Sequence, residues 1–207
     1  MKRCVIAGGA DIGRYDLILD ALRPDDYFIY CDCGLKHMQA LGRKPALIVG
    51  DFDSYEDPHL PVETIVLPRE KDDTDTVFAV REALKRGFEE YLLIGVTGER
   101  LDHTLGNLSI LLHLHSLGKT AIIIDDYSEM EIISGGPVSI SDRYPFFSLL
   151  NISGCAKSIT VTGAKYPLSG AEIGCEYQYG ISNEVLPGGE AEITVEEGRL
   201  LLVKIFG

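Results

Sequence analysis

The sequence predicts an α/β domain followed by an all-β domain, and three observations predict it. Up to about Tyr127, short apolar runs alternate with stretches of helical periodicity, the pattern of a Rossmann-like α/β layer with a mostly parallel sheet. Beyond that point no convincing helical stretch remains. Short alternating segments recur instead between Gly- and Pro-rich turns, the pattern of an antiparallel sandwich or barrel. Finally, 207 residues with 45% hydrophobic content suffice for one large or two small domains with real cores. The expected division is 1–127 and 128–207.

The elements follow in order. Arg3 to Ala7 reads as a strand that runs into the small-residue turn Gly8-Gly9-Ala10. Tyr15 to Leu22 has helical spacing and stops before Pro24. Tyr27 to Cys31 is a second strand, followed by Asp32-Cys33-Gly34 and a short helix over Leu35 to Leu41 that Gly42 closes. Ala46 to Val49 and Ile65 to Leu67 are the next strands. A helix follows with Val77, Val80 and Leu84 on its apolar stripe, Thr74 or a neighbouring Asp as cap and Gly87 at its end. Tyr91 to Ile94 is a fifth strand. A long helix carries Leu105, Leu108, Leu111 and Leu112 near one stripe and ends at Gly118, and Thr120 to Ile124 is a sixth strand. In the second half, strands are expected over Val138 to Ser141, Phe146 to Ile152, Ser158 to Thr162, Ala191 to Val195 and Leu200 to Phe206. Gly135-Gly136-Pro137 and Glu197-Gly198 read as turns, so the last two strands read as a hairpin.

Composition excludes several classes. The formal charge of -13 argues against general nucleic-acid binding. No apolar run approaches the about 20 residues of a membrane-spanning helix. The N-terminal Met1-Lys2-Arg3-Cys4-Val5-Ile6 reads as the start of a strand rather than a signal peptide. Five scattered cysteines, with Cys31-Asp32-Cys33 lacking a zinc or thioredoxin spacing, suggest reduced thiols and a cytoplasmic protein.

The chemistry gathers at strand ends. In a parallel sheet the C-terminal ends of all strands lie along one edge, where ligands of open α/β sheets bind. Gly8-Gly9, Asp32, Asp51 and Asp53, Arg69 and Lys71, Gly95 to Asp102, and Asp125 all follow directly on expected strands. Residues i and i+2 of an extended segment point the same way, so Asp51 and Asp53 can converge on one point. A hard divalent cation such as Mg²⁺ suits that point. An isolated Asp-x-Asp in an acidic chain reads more simply as a surface turn, and only its surroundings reverse that preference. Asp72, Asp73 and Asp75 stand just before a helix, and one cap does not need three carboxylates. Several ionised carboxylates in one cleft need positive charge nearby, and Lys71 and Arg100 suit phosphate oxygens. Arg100 also sits at an expected helix start, which favours anions. The calcium-loop, HExxH, P-loop and protein-kinase patterns are all missing.

The ordered blocks resemble those of the bacterial-type thiamine pyrophosphokinase family. They are Asp32-x-Gly34; Pro45 with Gly50-Asp51-Phe52-Asp53-Ser54; Lys71-Asp72-x-Thr74-Asp75; and Gly95-x-x-Gly98-x-Arg100-x-Asp102-His103 continuing to Leu105 and Asn107. Two weaker blocks follow, Gly163-Ala164-Lys165-Tyr166-Pro167-Leu168 and Gly180-Ile181-Ser182-Asn183-Glu184. Each block is weak alone, but the ordered set is specific and spans nearly the whole chain.

That resemblance implies transfer of pyrophosphate from ATP to the hydroxyl of thiamine, giving thiamine diphosphate and AMP. It implies an ATP- and Mg-binding catalytic domain at 1–127 and a β-sandwich thiamine-binding domain at 128–207. A homodimer with the thiamine site between subunits is also implied. By resemblance Asp51, Asp53 and Asp75 hold Mg²⁺, while Asp32, Lys71, Arg100 and Asp102 surround ATP and the reacting groups. Asp72, Thr74 and His103 join the nucleotide side, and Tyr166, Ser182 and Asn183 form the thiamine wall. An aromatic side chain there suits a planar cation. Two departures stand out. Glu99 occupies a position where Gly is common, and Leu150-Asn151 interrupts an expected Ser-Leu-x-Pro pattern. The N-terminal blocks alone also allow another Mg-dependent nucleotide phosphohydrolase or nucleotidyltransferase. A non-catalytic thiamine or nucleotide sensor on the same fold is a further alternative.

Overall fold

The computed structural model describes residues 2–52, 59–70 and 72–207. Asp53, Ser54 and Lys71, all singled out by the sequence, lie outside the described residues. The chain divides into two compact units, Met1–Asp126 and Tyr127–Gly207. Among the described residues no helix is long and apolar enough to cross a membrane.

The first unit is built on six strands: β1 (Arg3–Ala7), β2 (Tyr27–Cys31), β3 (Leu47–Gly50), β4 (Glu63–Val66), β5 (Glu90–Ile94) and β6 (Thr120–Ile124). All are parallel to their neighbours, in the order β4-β3-β2-β1-β5-β6. The central strands are buried almost end to end, as expected when a parallel sheet is covered on both faces. Among the described residues four helices connect them: α1 (Tyr15–Ala21), α2 (Met38–Leu41), α3 (Asp75–Lys85) and α4 (Leu101–Ser116). The chain steps from β1 outward to β4, then returns to the other side of β1 with β5. Loops after β1 and β5 therefore diverge, and that opening is where open α/β sheets hold ligands.

Two helices bury a face rotated from the one their periodicity suggests but sharing Val80 and Leu111 with it. In α3 the buried residues are Thr76, Ala79, Val80 and Ala83, so of the expected Val77, Val80 and Leu84 stripe Val80 is buried and the other two are half-buried. Small side chains bring this helix close to β1, β2 and β3. In α4 the buried residues are Asn107, Ile110, Leu111 and Leu114, whereas Leu105 is 56% exposed. The leucines and isoleucine of that helix spread over more than one face, so hydrophobicity alone does not fix its buried face. The polar Asn107 does, through a bond described below. Between β2 and α2, residues Asp32–His37 form a 3-10 helix where an α-helix from Leu35 was expected.

The second unit is antiparallel. It consists of β7 (Ser128–Ser141), β8 (Phe146–Leu150), β9 (Cys155–Thr162), β10 (Leu168–Gly174), β11 (Gly180–Asn183) and β12 (Glu190–Ile205). Strands β7 and β12 are long and pair along their length. The first half of β12 also pairs with β9, which carries β10, and its second half pairs with β8, which carries β11. The expected terminal hairpin is therefore absent: Glu190–Ile205 is one strand. Where Glu197-Gly198 suggested a turn, the β7–β12 register jumps from Val195↔Gly135 to Leu200↔Ile133. More residues lie on the β12 side than on the β7 side, which is a bulge that bends both strands. The glycines on both sides mark that bend. Gly135, Gly136 and Gly198 all take positive φ, and a Cβ at Gly198 would lie 2.4 Å from the Cys155 carbonyl oxygen. The interior is a single apolar cluster including Phe147, Ile159, Val161, Ile173, Ile193 and Leu202.

Candidate active site

A cleft of about 420 Å³ opens at the C-terminal edge of the parallel sheet. Its walls come from the turn after β1 (Gly8, Gly9, Ala10), the start of the 3-10 helix (Asp32, Cys33), the N-terminus of α3 (Thr74, Asp75, Thr76) and the segment Gly95–Arg100. Close backbone packing explains the glycines. A Cβ at Gly8 would lie 2.6 Å from the Gly95 oxygen, and one at Gly34 only 2.1 Å from the Ala7 oxygen. At Gly50 a Cβ would meet the Asp32 Cβ at 2.9 Å. Asp-x-Gly and Gly-Asp thus share one cause: the Asp32 turn presses onto β1 on one side and β3 on the other.

That compression brings three carboxylates together. Oxygen atoms of Asp32, Asp51 and Asp75 all lie within 4.8 Å of one another. Asp32 is buried and takes φ 22, in the region a non-glycine residue rarely occupies. Asp75 stands in the first turn of α3, which Thr74 caps by accepting from the Val77 N–H at 3.3 Å. The donor set is all oxygen, which fits Mg²⁺ and is unsuited to a thiolate- or imidazole-selecting metal. Mutual repulsion at this spacing also favours a cation between the three groups.

The remaining nucleotide-side residues divide. Thr74, Arg100 and His103 line the cleft, as do Thr97, Thr104 and Asn107. Asp72 is exposed and outside the lining, and Asp73 is held by an ion pair to Arg81. Asp102 is exposed beside the cleft, with Arg100 donating from Nε at 3.1 Å and from Nη2 at 2.5 Å. That bond holds the Asp102 carboxyl down at about 2, below the ordinary aspartate value. In this pairing Asp102 is a weak base, and receiving a proton would require Arg100 to release it. The Gly95–Gly98 segment is pinned from two sides. Asn107 Nδ2 donates to the Val96 carbonyl at 2.7 Å, and Thr97 Oγ1 donates to Asp125 at 3.1 Å. Glu99, the departure from the expected glycine, lines the cleft at the end of this segment.

The thiamine-side residues come together within the second unit. Asn183 Oδ1 accepts from the Tyr166 N–H at 3.0 Å, and Asn183 Nδ2 donates to the Tyr166 carbonyl at 2.8 Å. This pair of bonds fixes the Tyr166 backbone and leaves its side chain 57% exposed. Ser182 takes φ 58, and its N–H bonds Ser148 Oγ at 3.1 Å. A cavity of about 250 Å³ lies among Tyr166, Leu168, Tyr179, Gly180, Ile181 and Asn183. Sequence reasoning missed Tyr179 and named Ile181 only within the Gly180–Glu184 block, with no role; the signal was an aromatic-rich stretch, Tyr177 to Ile181, in a segment with no clean alternation. Asn151, the second departure, has a structural reason. It is 1% exposed, donates to the Ile173 carbonyl at 2.7 Å and accepts from the Ser153 N–H at 3.0 Å. It stitches the β8–β9 loop to β10 and lies outside this cavity.

Residues 19–124 match the thiamin pyrophosphokinase catalytic domain, and residues 137–200 match the thiamin pyrophosphokinase vitamin B1 binding domain. The chain belongs to the thiamin pyrophosphokinase family. Among relatives, it is 28% identical over 185 residues to the thiamine pyrophosphokinase of Bacillus subtilis, a match that covers 86% of each chain. The crystal structure of the Bacillus subtilis thiamine pyrophosphokinase superposes with a TM-score of 0.85 at 23% identity, covering 100% of both chains. That of the Geobacillus thermodenitrificans protein gives 0.83 at 25% identity, covering 100% of this chain and 98% of the other. The mixed α/β architecture with few helices is thus that of thiamin pyrophosphokinases. Membership in the family makes the chain an enzyme that pyrophosphorylates thiamine.

Proposed function

We propose that this thiamin pyrophosphokinase uses Mg-ATP as donor, transfers the terminal pyrophosphate as one unit and releases AMP. The observation that carries this reading is the triple-carboxylate cluster in a glycine-walled cleft at the divergence of the β1 and β5 loops. We read the first unit as a Rossmann-like ATP- and Mg-binding catalytic domain, 1–127, and the second as a β-sandwich thiamine-binding domain, 128–207. Asp51 and Asp75 hold the metal, with Asp53 as the sequence proposes. Asp32, first assigned to the nucleotide, joins them, because its carboxylate shares their cluster. Bound there, Mg²⁺ offsets the charge of the carboxylates and polarises phosphate oxygens.

The chain's own residues do the rest. Main-chain groups of the Gly8–Ala10 and Gly95–Gly98 turns admit the triphosphate closely, since no Cβ intervenes. The α4 N-terminus and Arg100 favour its negative charge, and Thr74, Lys71 and His103 complete that side, whereas Asp72 stands outside the lining. The thiamine hydroxyl attacks the β-phosphorus in line. A new oxygen–phosphorus bond forms, the bond from the β-phosphorus to the α–β bridging oxygen breaks, and AMP leaves with that oxygen. Phosphoryl-type transfer depends chiefly on positioning and charge stabilisation. A strong base is therefore not required, and the lowered basicity of Asp102 is no obstacle. Arg100 moving from Asp102 to phosphate would free that carboxylate to receive the hydroxyl proton. On the acceptor side, Tyr166, Ser182 and Asn183 hold thiamine, the Tyr166 ring serving its cationic thiazolium. We further propose a cytoplasmic homodimer with the thiamine site between subunits.

Purified enzyme with Mg²⁺ and ATP should form AMP and thiamine diphosphate in equal amounts, and only when thiamine is present. ADP as the product would replace pyrophosphate transfer by single phosphoryl transfer. ATP breakdown without thiamine dependence would favour a nucleotide phosphohydrolase.

A further inference from the structure

We propose that His37 is a positioning residue for the nucleotide end of the reaction, acting through the Ala10 carbonyl on the turns that wall the cleft. The proposal rests on ATP occupying that cleft. His37 closes the 3-10 helix that Asp32 opens, is 2% exposed and does not itself line the cleft. Its Nε2 lies 2.9 Å from the Ala10 carbonyl oxygen and its Nδ1 lies 2.7 Å from the Tyr15 hydroxyl. A carbonyl can only accept, so Nε2 carries the hydrogen and donates it. Neutral imidazole then leaves Nδ1 bare, and Nδ1 accepts from the Tyr15 hydroxyl. Both ring nitrogens are used, and the tautomer is fixed by its partners.

The bond to Ala10 has leverage because of what Ala10 holds. The Ala10 N–H donates to the Gly95 carbonyl at 2.9 Å, and the Gly8 N–H donates to the Ile94 carbonyl at 2.9 Å. The two glycine turns thus meet backbone to backbone, with the imidazole behind them. A Cβ at Gly95 would lie 2.7 Å from the Gly8 oxygen and 3.3 Å from His37 Nε2. The side chain fills the space behind both turns and supplies a directed bond that an apolar residue of similar size cannot. Burial pushes the imidazole below its ordinary value, the Ala10 bond and Asp11 pull it up, and neighbouring Lys36 lowers it further. The net shift is downward, which keeps the ring neutral, as the two bonds require. Lys36 is engaged with Asp11 at 2.5 Å, and among the described residues the two ring nitrogens are taken by the Ala10 carbonyl and the Tyr15 hydroxyl.

The test compares His37→Phe, which keeps the ring bulk without the donor, with His37→Gln, whose amide nitrogen can reach the same carbonyl. His37→Phe should raise KM for ATP about tenfold, the size expected for one buried hydrogen bond. KM for thiamine should stay within about twofold, and His37→Gln should recover most of the loss. Nitrogen-15 NMR of the wild-type imidazole should show Nε2 protonated and Nδ1 bare at neutral pH. Amide hydrogen exchange at Ala10 and Gly95 should quicken in His37→Phe and not in His37→Gln. A folded His37→Phe protein with unchanged KM for ATP, equal shifts for both substrates, or an Nδ1-protonated ring would each overturn the proposal. Should His37→Phe fail to fold, the His37→Gln exchange rates and the wild-type tautomer decide it. Absence of thiamine-dependent turnover in the wild type would instead sink the functional reading, with the NMR and exchange results still deciding the role of His37.

Discussion

The two units place their reactive surface in opposite ways. In the first, the strands β1, β2, β3 and β5 are buried along nearly their whole length. A sheet covered on both faces has no free face to offer, so its chemistry sits on the loops at one edge. There it is charged, compressed and glycine-rich. In the second unit, β9 and the first half of β12 alternate buried and exposed residues. The exposed aromatic and aliphatic side chains of this unit, Tyr166, Tyr179 and Ile181, lie off those strands, on the β9–β10 connection and on or beside β11. On the proposed reading the first unit takes triphosphate and metal, where fixed charge does the work. The second suits a flat organic cation, where contact area and a few directed hydrogen bonds do it.

The largest effect expected of this contrast is at Asp75. Asp75→Asn removes one carboxylate of three that crowd within 4.8 Å. Turnover should fall about 10²- to 10³-fold, since charge stabilisation at the reacting centre is lost. Stability without Mg²⁺ should not fall, because repulsion between carboxylates is relieved. Initial rates over a Mg²⁺ titration and a thermal melt of the metal-free protein check both halves. Near wild-type turnover would remove the reacting end from this edge and break the comparison.

The second effect is one of stability and belongs to the β unit. Gly163 takes φ 66, and a Cβ there would lie 2.0 Å from the Glu190 carbonyl oxygen. Both the backbone conformation and the space exclude a side chain. Gly163→Ala should cost about 3 kcal/mol, from overpacking against rigid backbone together with left-handed strain. Gly87→Ala is the control: φ 78, but nothing within 4 Å of the added Cβ. It should cost about 1 kcal/mol. Urea unfolding reads both. Equal costs would mean that the close approach at Gly163 adds nothing beyond its φ.

How much of this was legible in the sequence follows the same division. Continuous apolar runs reported every strand of the parallel sheet within a residue or two, because full burial leaves an unbroken hydrophobic signature. Edge strands β10 and β11 were missed, since a pattern such as that of Leu168–Gly174 has almost no buried face to report. The long β12 was cut in two because Gly198 signals a turn and a bulge equally well. At the site, spacing and strand ends single out Asp51 and Asp75, whose carboxylates the structure brings together. Asp32 was assigned to the nucleotide instead, because its place in the carboxylate cluster depends on a φ of 22 and on Gly50 yielding room. Nothing in the sequence singles out His37, and only the positions of Ala10 and Tyr15, 27 and 22 residues away, give it a role.

The smallest effect is also the most selective. Tyr166 is held by its backbone, through the two bonds from Asn183, and not by its ring. Tyr166→Ala therefore removes an aromatic wall from the cavity while its frame stays in place. If the ring serves the cationic thiazolium, KM for thiamine should rise about tenfold, the scale of a partly desolvated cation–π contact. Tyr166→Phe keeps the π face and should stay within about twofold of wild type. KM for ATP should move in neither variant, since the carboxylate edge and its glycine turns lie in the other unit. A rise in KM for ATP with thiamine unaffected would reverse the assignment of the two units. A loss of kcat with both constants unchanged would move Tyr166 from substrate binding to the reacting groups.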